Sequence, residues 1–134
     1  MNISKYTAWF HDGTLIEILH AKNNIELSLE SAELADEDKP EGIILSSHDT
    51  IRGKLYLEGV RKITLNDMPF QGVLKKEYDS GGIFDLEIRG NTVEISVKWC
   101  NYPPKPRETD FSTIKIEAEK IRWKNVPELV NPSW

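Results

Sequence analysis

The sequence predicts an all-β fold: an antiparallel meander of hairpins that forms a twisted sheet, a sandwich or a partly closed barrel, with little or no helix. Apolar and polar residues alternate in several segments, and short turn signals separate these segments. Only one stretch, Asp110–Trp123, has apolar residues near helical spacing. The length of 134 residues predicts a single all-β domain, 1–124, followed by an irregular C-terminal tail, 125–134.

The first predicted hairpin joins Leu15–Leu19 to Ile25–Glu30 through a turn at Asn23-Asn24. Every second residue from Ile25 is apolar, so a strand would place these side chains on one face and the polar residues between them on the other. Asparagine also tolerates the positive φ of tight turns. The pattern therefore predicts two paired strands.

The second predicted hairpin lies in the middle of the chain. Lys54–Leu57 and Lys62–Leu65 both alternate, and Glu58-Gly59-Val60-Arg61 lies between them as a short connection. Further along, Asp79-Ser80-Gly81-Gly82 has the composition of a flexible turn. We therefore expect the chain to reverse at Gly59 and to bend again before Ile83.

The third predicted hairpin pairs Ile83–Arg89 with Val93–Trp99 across Gly90-Asn91. Tyr102–Pro106 follows and is expected to be an extended connection, because proline cannot donate to a central strand. No membrane-spanning run of about 20 apolar residues occurs.

Asp110–Trp123 is either a strand or a helix that Asp110 caps. The strand is favoured, because Ile114–Glu119 alternates and a helix would leave Ile116 and Trp123 outside the apolar stripe. In a strand the apolar positions change from even to odd numbers near Glu119-Lys120. This change predicts a β-bulge or a break at that point.

The charge is concentrated in one segment. The chain carries 22 acidic and 17 basic residues, and six of the acids lie within twelve residues that contain one base, Lys39. Such a segment repels nucleic acid and attracts a basic protein, although a solvated loop that only aids solubility is an alternative interpretation. The predicted partner-binding residues are Glu30, Glu33, Asp36, Glu37, Asp38 and Glu41.

The sequence carries no recognisable catalytic, cofactor or metal signature, and none of these is expected. His11-Asp12-Gly13 pairs an imidazole with a carboxylate, but the composition is typical of a turn. His20 and His48 lack the spacing of a zinc site. Cys100 is the only cysteine, so no internal disulfide forms, and this agrees with a cytoplasmic protein.

Three segments resemble a known family: Trp9–Leu15, Leu55–Ile63 and Ile114–Trp123. They are similar to small β-rich bacterial immunity proteins of polymorphic toxin systems, which open with an aromatic-His-Asp motif and carry a strand-Gly-Val-strand element. The resemblance implies a stoichiometric inhibitor that binds a cognate toxin domain and blocks its active site. It assigns no catalytic residues, and it transfers His11 and Asp12 only as a recurring motif whose role is expected to be structural.

The toxins that such proteins neutralise are often basic where they act on nucleic acids, so the acidic segment suits this function. Two other functions stay open. Aromatic residues near strand ends would suit a module that binds a small ligand or a carbohydrate. An open sheet edge would suit self-association, so the protein is expected to be a monomer or a homodimer.

Overall fold

The computed structural model describes residues 2–129 and confirms the all-β prediction. The described part of the chain contains short 3₁₀ turns but no α-helix. None of its helices is long and apolar enough to cross a membrane. The seven strands are β1 Thr14–Ala21, β2 Asn24–Glu30, β3 Arg52–Leu65, β4 Met68–Pro69, β5 Ser80–Arg89, β6 Thr92–Cys100 and β7 Thr109–Asn125.

The strands form one antiparallel sheet whose hydrogen bonding runs around a ring. Most pairings join strands that follow one another in sequence, as in a meander, and β3 also pairs along β7. The ring closes through β1 and β5, where the only register pair is Thr14 with Gly82. Because this last contact is so short, the sheet is a partly closed barrel.

The inside of the ring holds the apolar residues that alternation placed on one face. Ile25, Leu27 and Leu29 of β2 are buried, as is the matching series on β6 from Val93 to Trp99. At the N-terminus, Phe10 is fully buried and packs edge-on against Trp123, with 5.9 Å between the ring centroids. Burial of these side chains is the main stabilising contribution to the fold.

The predicted hairpin at Glu58-Gly59-Val60-Arg61 is wrong. The whole segment lies within the single 14-residue strand β3. This strand pairs with β7 on both sides of the segment, with Leu55 opposite Trp123 and Leu65 opposite Ile114. Gly59 does adopt positive φ, +66°, as a turn glycine would. Here it bends the strand without reversing it, because β7 is long enough to pair with both halves.

Asp110–Trp123 is a strand, as favoured, and its burial pattern changes from even to odd residue numbers after Ala118. The prediction of a bulge or break near Glu119-Lys120 is wrong in position. The register shift lies in the partner strand, between Val60 and Lys62 of β3. A Cβ on Gly59 would lie 2.8 Å from the Glu119 carboxylate, so a glycine is required where β3 faces the point at which the burial pattern of β7 changes.

Two predicted connections also differ from the structure. The first turn lies at Lys22-Asn23, one residue early, because Ala21 pairs with Asn24. Tyr102–Pro106 is not extended: the Lys105 amide donates to the Tyr102 carbonyl, which closes a turn between β6 and β7. Proline lacks a donor for the ladder, but its fixed φ also suits turns.

Asp79-Ser80-Gly81-Gly82 is not a flexible turn, because β5 begins at Ser80. Gly81 pairs with Trp99 across the ladder, and a Cβ on Gly81 would lie 2.7 Å from the indole ring. The glycine is therefore required for close packing rather than for turning.

The expected tail begins where β7 ends, at Asn125. Residues 126–129 have no regular structure, and Val126 donates its amide to the Arg52 carbonyl. Residues 130–134 lie outside the described residues.

Candidate functional site

The acids predicted to bind a partner belong to the end of β2 and the long loop between β2 and β3. Glu30 is the last residue of β2, and its half-buried carboxylate accepts a hydrogen bond of 2.7 Å from the Thr50 hydroxyl. This contact ties the end of β2 to the residues that lead into β3. The other five predicted acids are exposed: Glu33, Asp36, Glu37, Asp38 and Glu41.

The loop is anchored to the core at its base. The Leu34 side chain is 5% exposed and joins the core, while its amide donates to the Asp49 carbonyl at 2.9 Å. The buried Ile51 amide donates to the Ser31 hydroxyl at 2.8 Å. A buried hydrogen bond is costly to break, so these contacts hold the base of the loop against the core.

Lys39 is the one base in the loop and lies between two aspartates. Its ammonium is 2.8 Å from the Asp36 carboxylate and 3.2 Å from that of Asp49. The hydrogen bond to Lys39, and then its positive charge, lower the pKa of Asp36. The same two partners raise the pKa of Lys39. Asp36 and Lys39 therefore stay ionised at neutral pH.

The remaining exposed acids of the loop are not neutralised by the described residues. Within residues 2–129, Glu33, Glu37, Asp38 and Glu41 have no cationic side chain within ion-pair distance. Their charges face solvent, where they act on an approaching molecule over about 8 Å at physiological ionic strength.

Two exposed aliphatic side chains lie on the loop that carries these acids and on the segment hydrogen-bonded to it. Ile44 is 63% exposed on the same loop, and Leu129 is 61% exposed on the segment after β7. The two segments are joined, because the Asn125 side chain donates to the Ile44 carbonyl at 2.8 Å and the Ser47 amide donates to the Glu128 carbonyl at 2.9 Å. We call Glu33, Asp36, Glu37, Asp38, Glu41, Ile44 and Leu129 the acidic surface.

His11-Asp12-Gly13 lies where the ring closes. The Asp12 amide donates to the Ile83 carbonyl, and the Ile83 amide donates to the Gly13 carbonyl, so this segment joins the start of β1 to β5. A Cβ on Gly13 would lie 2.2 Å from the Glu30 carbonyl oxygen, so no larger residue fits. Asp12 has a φ of +67°.

The His11 imidazole lies on the outside of the ring. Its Nδ1 hydrogen-bonds to the Phe84 carbonyl, which accepts, and its ring lies edge-on to the Phe84 ring at 5.5 Å between centroids. The Asp12 carboxylate is 3.8 Å from Nε2, with both side chains more than half exposed. These groups are too open to water to form a pre-organised acid–base pair.

The structure separates the three histidines. His11 precedes β1, His20 lies near its other end, and His48 is exposed in the loop before β3. Among residues 2–129, no group of three or more His, Cys, Asp or Glu side chains is placed to hold a metal ion. Cys100 is half-buried at the end of β6, opposite Thr109.

Sequence reasoning missed the apolar part of the acidic surface. Ile44 and Leu129 are isolated in sequence, and an apolar residue in a loop is ordinarily expected to turn inward. Only the hydrogen bonds that join residues 44–47 to 125–128 bring the two segments together. No local sequence pattern indicates this contact between residues 44–47 and 125–128.

Comparison with known proteins leaves the site to be judged on its geometry. No family model matches the chain, and no curated protein or solved structure is similar to it.

Proposed function

We propose that this is a non-catalytic binding protein that holds a basic protein partner against the acidic surface. In its most specific form, the proposed function is the one that the resemblance implies: an immunity-type inhibitor that binds and neutralises a cognate bacterial toxin. One observation carries it, namely five exposed acids on an anchored loop, with an exposed aliphatic side chain on that loop and another on the segment hydrogen-bonded to it.

The composition of the surface supports a protein partner. Protein interfaces combine an apolar centre with a polar margin, and Ile44 and Leu129 supply exposed apolar area on the acidic loop and on the segment bonded to it. The anchored loop also avoids part of the entropy cost that a disordered segment would meet on binding. The surface disfavours nucleic acid, because phosphate groups carry the same sign of charge.

The acids are expected to act mainly on the rate of encounter. Opposite charges steer association and raise on-rates by roughly 10- to 1,000-fold, whereas exposed ion pairs add little to the lifetime of a complex. A partner encoded beside this protein, with a basic surface around its active site, is the predicted ligand.

The experiment measures association and dissociation rates with that neighbouring toxin domain, for the wild type and for a variant with four acids neutralised. We expect kon to fall about tenfold at low salt while koff changes less than about twofold. The difference between the two proteins should shrink as salt is added, because screening weakens both. The substitutions are Asp36→Asn, Glu37→Gln, Asp38→Asn and Glu41→Gln.

A matched control removes the same number of aspartates and glutamates elsewhere on the surface. All four of its positions are exposed and lie outside the loop: Asp67→Asn, Glu77→Gln, Asp85→Asn and Glu108→Gln. The proposal predicts that this control binds like the wild type. If kon falls equally in both variants, the effect comes from net charge and not from the acidic surface. If kon is unchanged in the first variant, the acidic surface is not part of the interface.

A further inference from the structure

A second site lies at the other end of β2, in a cleft of about 450 Å³. The acidic surface begins beyond Glu30, whereas the cleft lies beside the turn before Asn24, so six residue steps of strand separate them by about 20 Å. The volume is in the range of sites for small ligands. This inference is independent of the proposed function.

The cleft exists because β3 extends beyond the first residue of β2, its antiparallel neighbour. Its floor is formed by Val60 and Ile63 of β3, one wall is the turn at Lys22-Asn23, and the other is the segment after β4 that contains Phe70. The turn is fixed to β3, because the Val60 amide donates to the Asn23 carbonyl at 2.7 Å.

The opposite wall is fixed as well. The Phe70 amide donates to the Ile63 carbonyl at 2.9 Å, and the Leu74 amide donates to Nδ1 of His20 at 2.9 Å. Because this ring nitrogen accepts, the neutral ring carries its proton on Nε2. His20 lines the cleft, and Nε2 is the ring nitrogen that the bond to Leu74 does not use.

The side chains that line the cleft give it a positive charge. Lys22, Arg61 and Lys62 all contribute to the lining, which includes no aspartate or glutamate. Glu119 lies 3.6 Å from Arg61, and both are more than half exposed, so this contact offsets little of the charge. Glu117 is opposite Lys62 in the ladder.

Lys22 and Lys62 have no carboxylate within ion-pair distance in the part of the chain that the structure describes.

The cleft also has an apolar side. Phe70 is half-buried and packed against the core, and Val73 is 55% exposed. Cations therefore meet an aromatic and aliphatic surface within one concave site. A ligand that fits both has an anionic group and an apolar ring.

We propose that this cleft binds a small organic anion, with its phosphate or carboxylate group against Lys22 and Lys62 and its apolar ring on Phe70. Both groups share the chemistry that ammonium and imidazole donors recognise. Lys22 and Lys62 line the same cleft, so removing both weakens binding more than removing two exposed lysines that lie outside it.

The test titrates the ¹⁵N-labelled full-length protein with phenyl phosphate, phenylacetate or benzyl alcohol and follows the backbone amide shifts. We expect saturable shifts centred on residues 20–23, 60–63 and 70–74 with one or both anions, and binding of the neutral alcohol weaker by about tenfold or more. The two anions distinguish a phosphate ligand from a carboxylate ligand.

Two double variants complete the experiment. Lys22→Gln with Lys62→Gln is expected to raise the Kd of the preferred anion about tenfold, while Lys98→Gln with Lys115→Gln, two exposed lysines on β6 and β7, changes it less than about twofold. Shifts centred elsewhere, equal binding of the alcohol, or the same Kd in both variants would overturn the proposal. So would a short single-stranded DNA that shifts the same amides about tenfold more tightly than phenyl phosphate, because the cleft would then belong to a nucleic-acid surface.

Discussion

Replacing Gly81 by alanine tests how Trp99 is packed against β5. A Cβ at this position would lie 2.7 Å from Cζ3 of Trp99 and 3.0 Å from Cγ1 of Val97. The indole cannot move away easily, because it stacks on Tyr78 with 5.8 Å between centroids and donates a 3.0 Å hydrogen bond to the buried Ser112 hydroxyl. The added methyl group must therefore strain the strand or break one of these contacts.

The size of the effect follows from two opposing contributions. Overpacking a core position costs about 1–3 kcal/mol, whereas replacing glycine restricts the unfolded chain and adds about 0.4–1 kcal/mol of stability. Gly82 is the matched control, since a Cβ there would meet only the Lys98 carbonyl oxygen, at 3.9 Å. We expect Gly81→Ala to be less stable than Gly82→Ala by about 2 kcal/mol, or roughly 6–8 °C in Tm for a domain of this size.

The assay is urea unfolding followed by tryptophan fluorescence, with thermal unfolding as a second measurement. Both variants should unfold in one transition with the same m value, because the substitutions change packing and not the surface exposed on unfolding. The near-ultraviolet circular dichroism of Gly81→Ala should also change, since the Trp99 ring shifts. If Gly81→Ala is as stable as Gly82→Ala, Gly81 is not held by the indole and the packing argument fails.

Two further predictions concern a charged contact and the core. Lys105 holds the pKa of Asp79 below its usual value, so the carboxylate stabilises the fold above about pH 4, and this contribution disappears as the pH falls through the lowered pKa. Asp79→Asn should therefore have a lower Tm than the wild type at pH 7, and this difference in Tm should be smaller at pH 2. An equal difference in Tm at both pH values would contradict this. Leu57→Ala removes a fully buried side chain and should cost about 2–5 kcal/mol in urea unfolding, whereas Leu19→Ala, at a position that is 48% exposed, should cost much less; similar losses would mean that Leu57 does not belong to the core.

The candidate site was predictable in its charge but not in its shape. Charge is a property of composition, so the exposed acids from Glu33 to Glu41 were identified from sequence. Glu30 was grouped with them, yet its carboxylate bonds Thr50 within the protein, and only the ladder between β2 and β3 determines that contact. The cations of the cleft come from the turn between β1 and β2 and from β3, which are distant in sequence, so no local pattern predicts them.

The sequence by itself determined the class of the fold, because alternation with a period of two directs every second side chain to one face in any strand, wherever its partners lie. It favoured a strand over a helix at Asp110–Trp123, since a helix would have left Ile116 outside the apolar stripe, and the structure decided for the strand. Only the tertiary structure decided what the glycines do: Gly59 bends a strand that β7 holds on both sides, and Gly81 makes room for Trp99. A glycine lacks a side chain, which permits a turn, a bend or close packing. Which of these the chain adopts depends on residues distant in sequence.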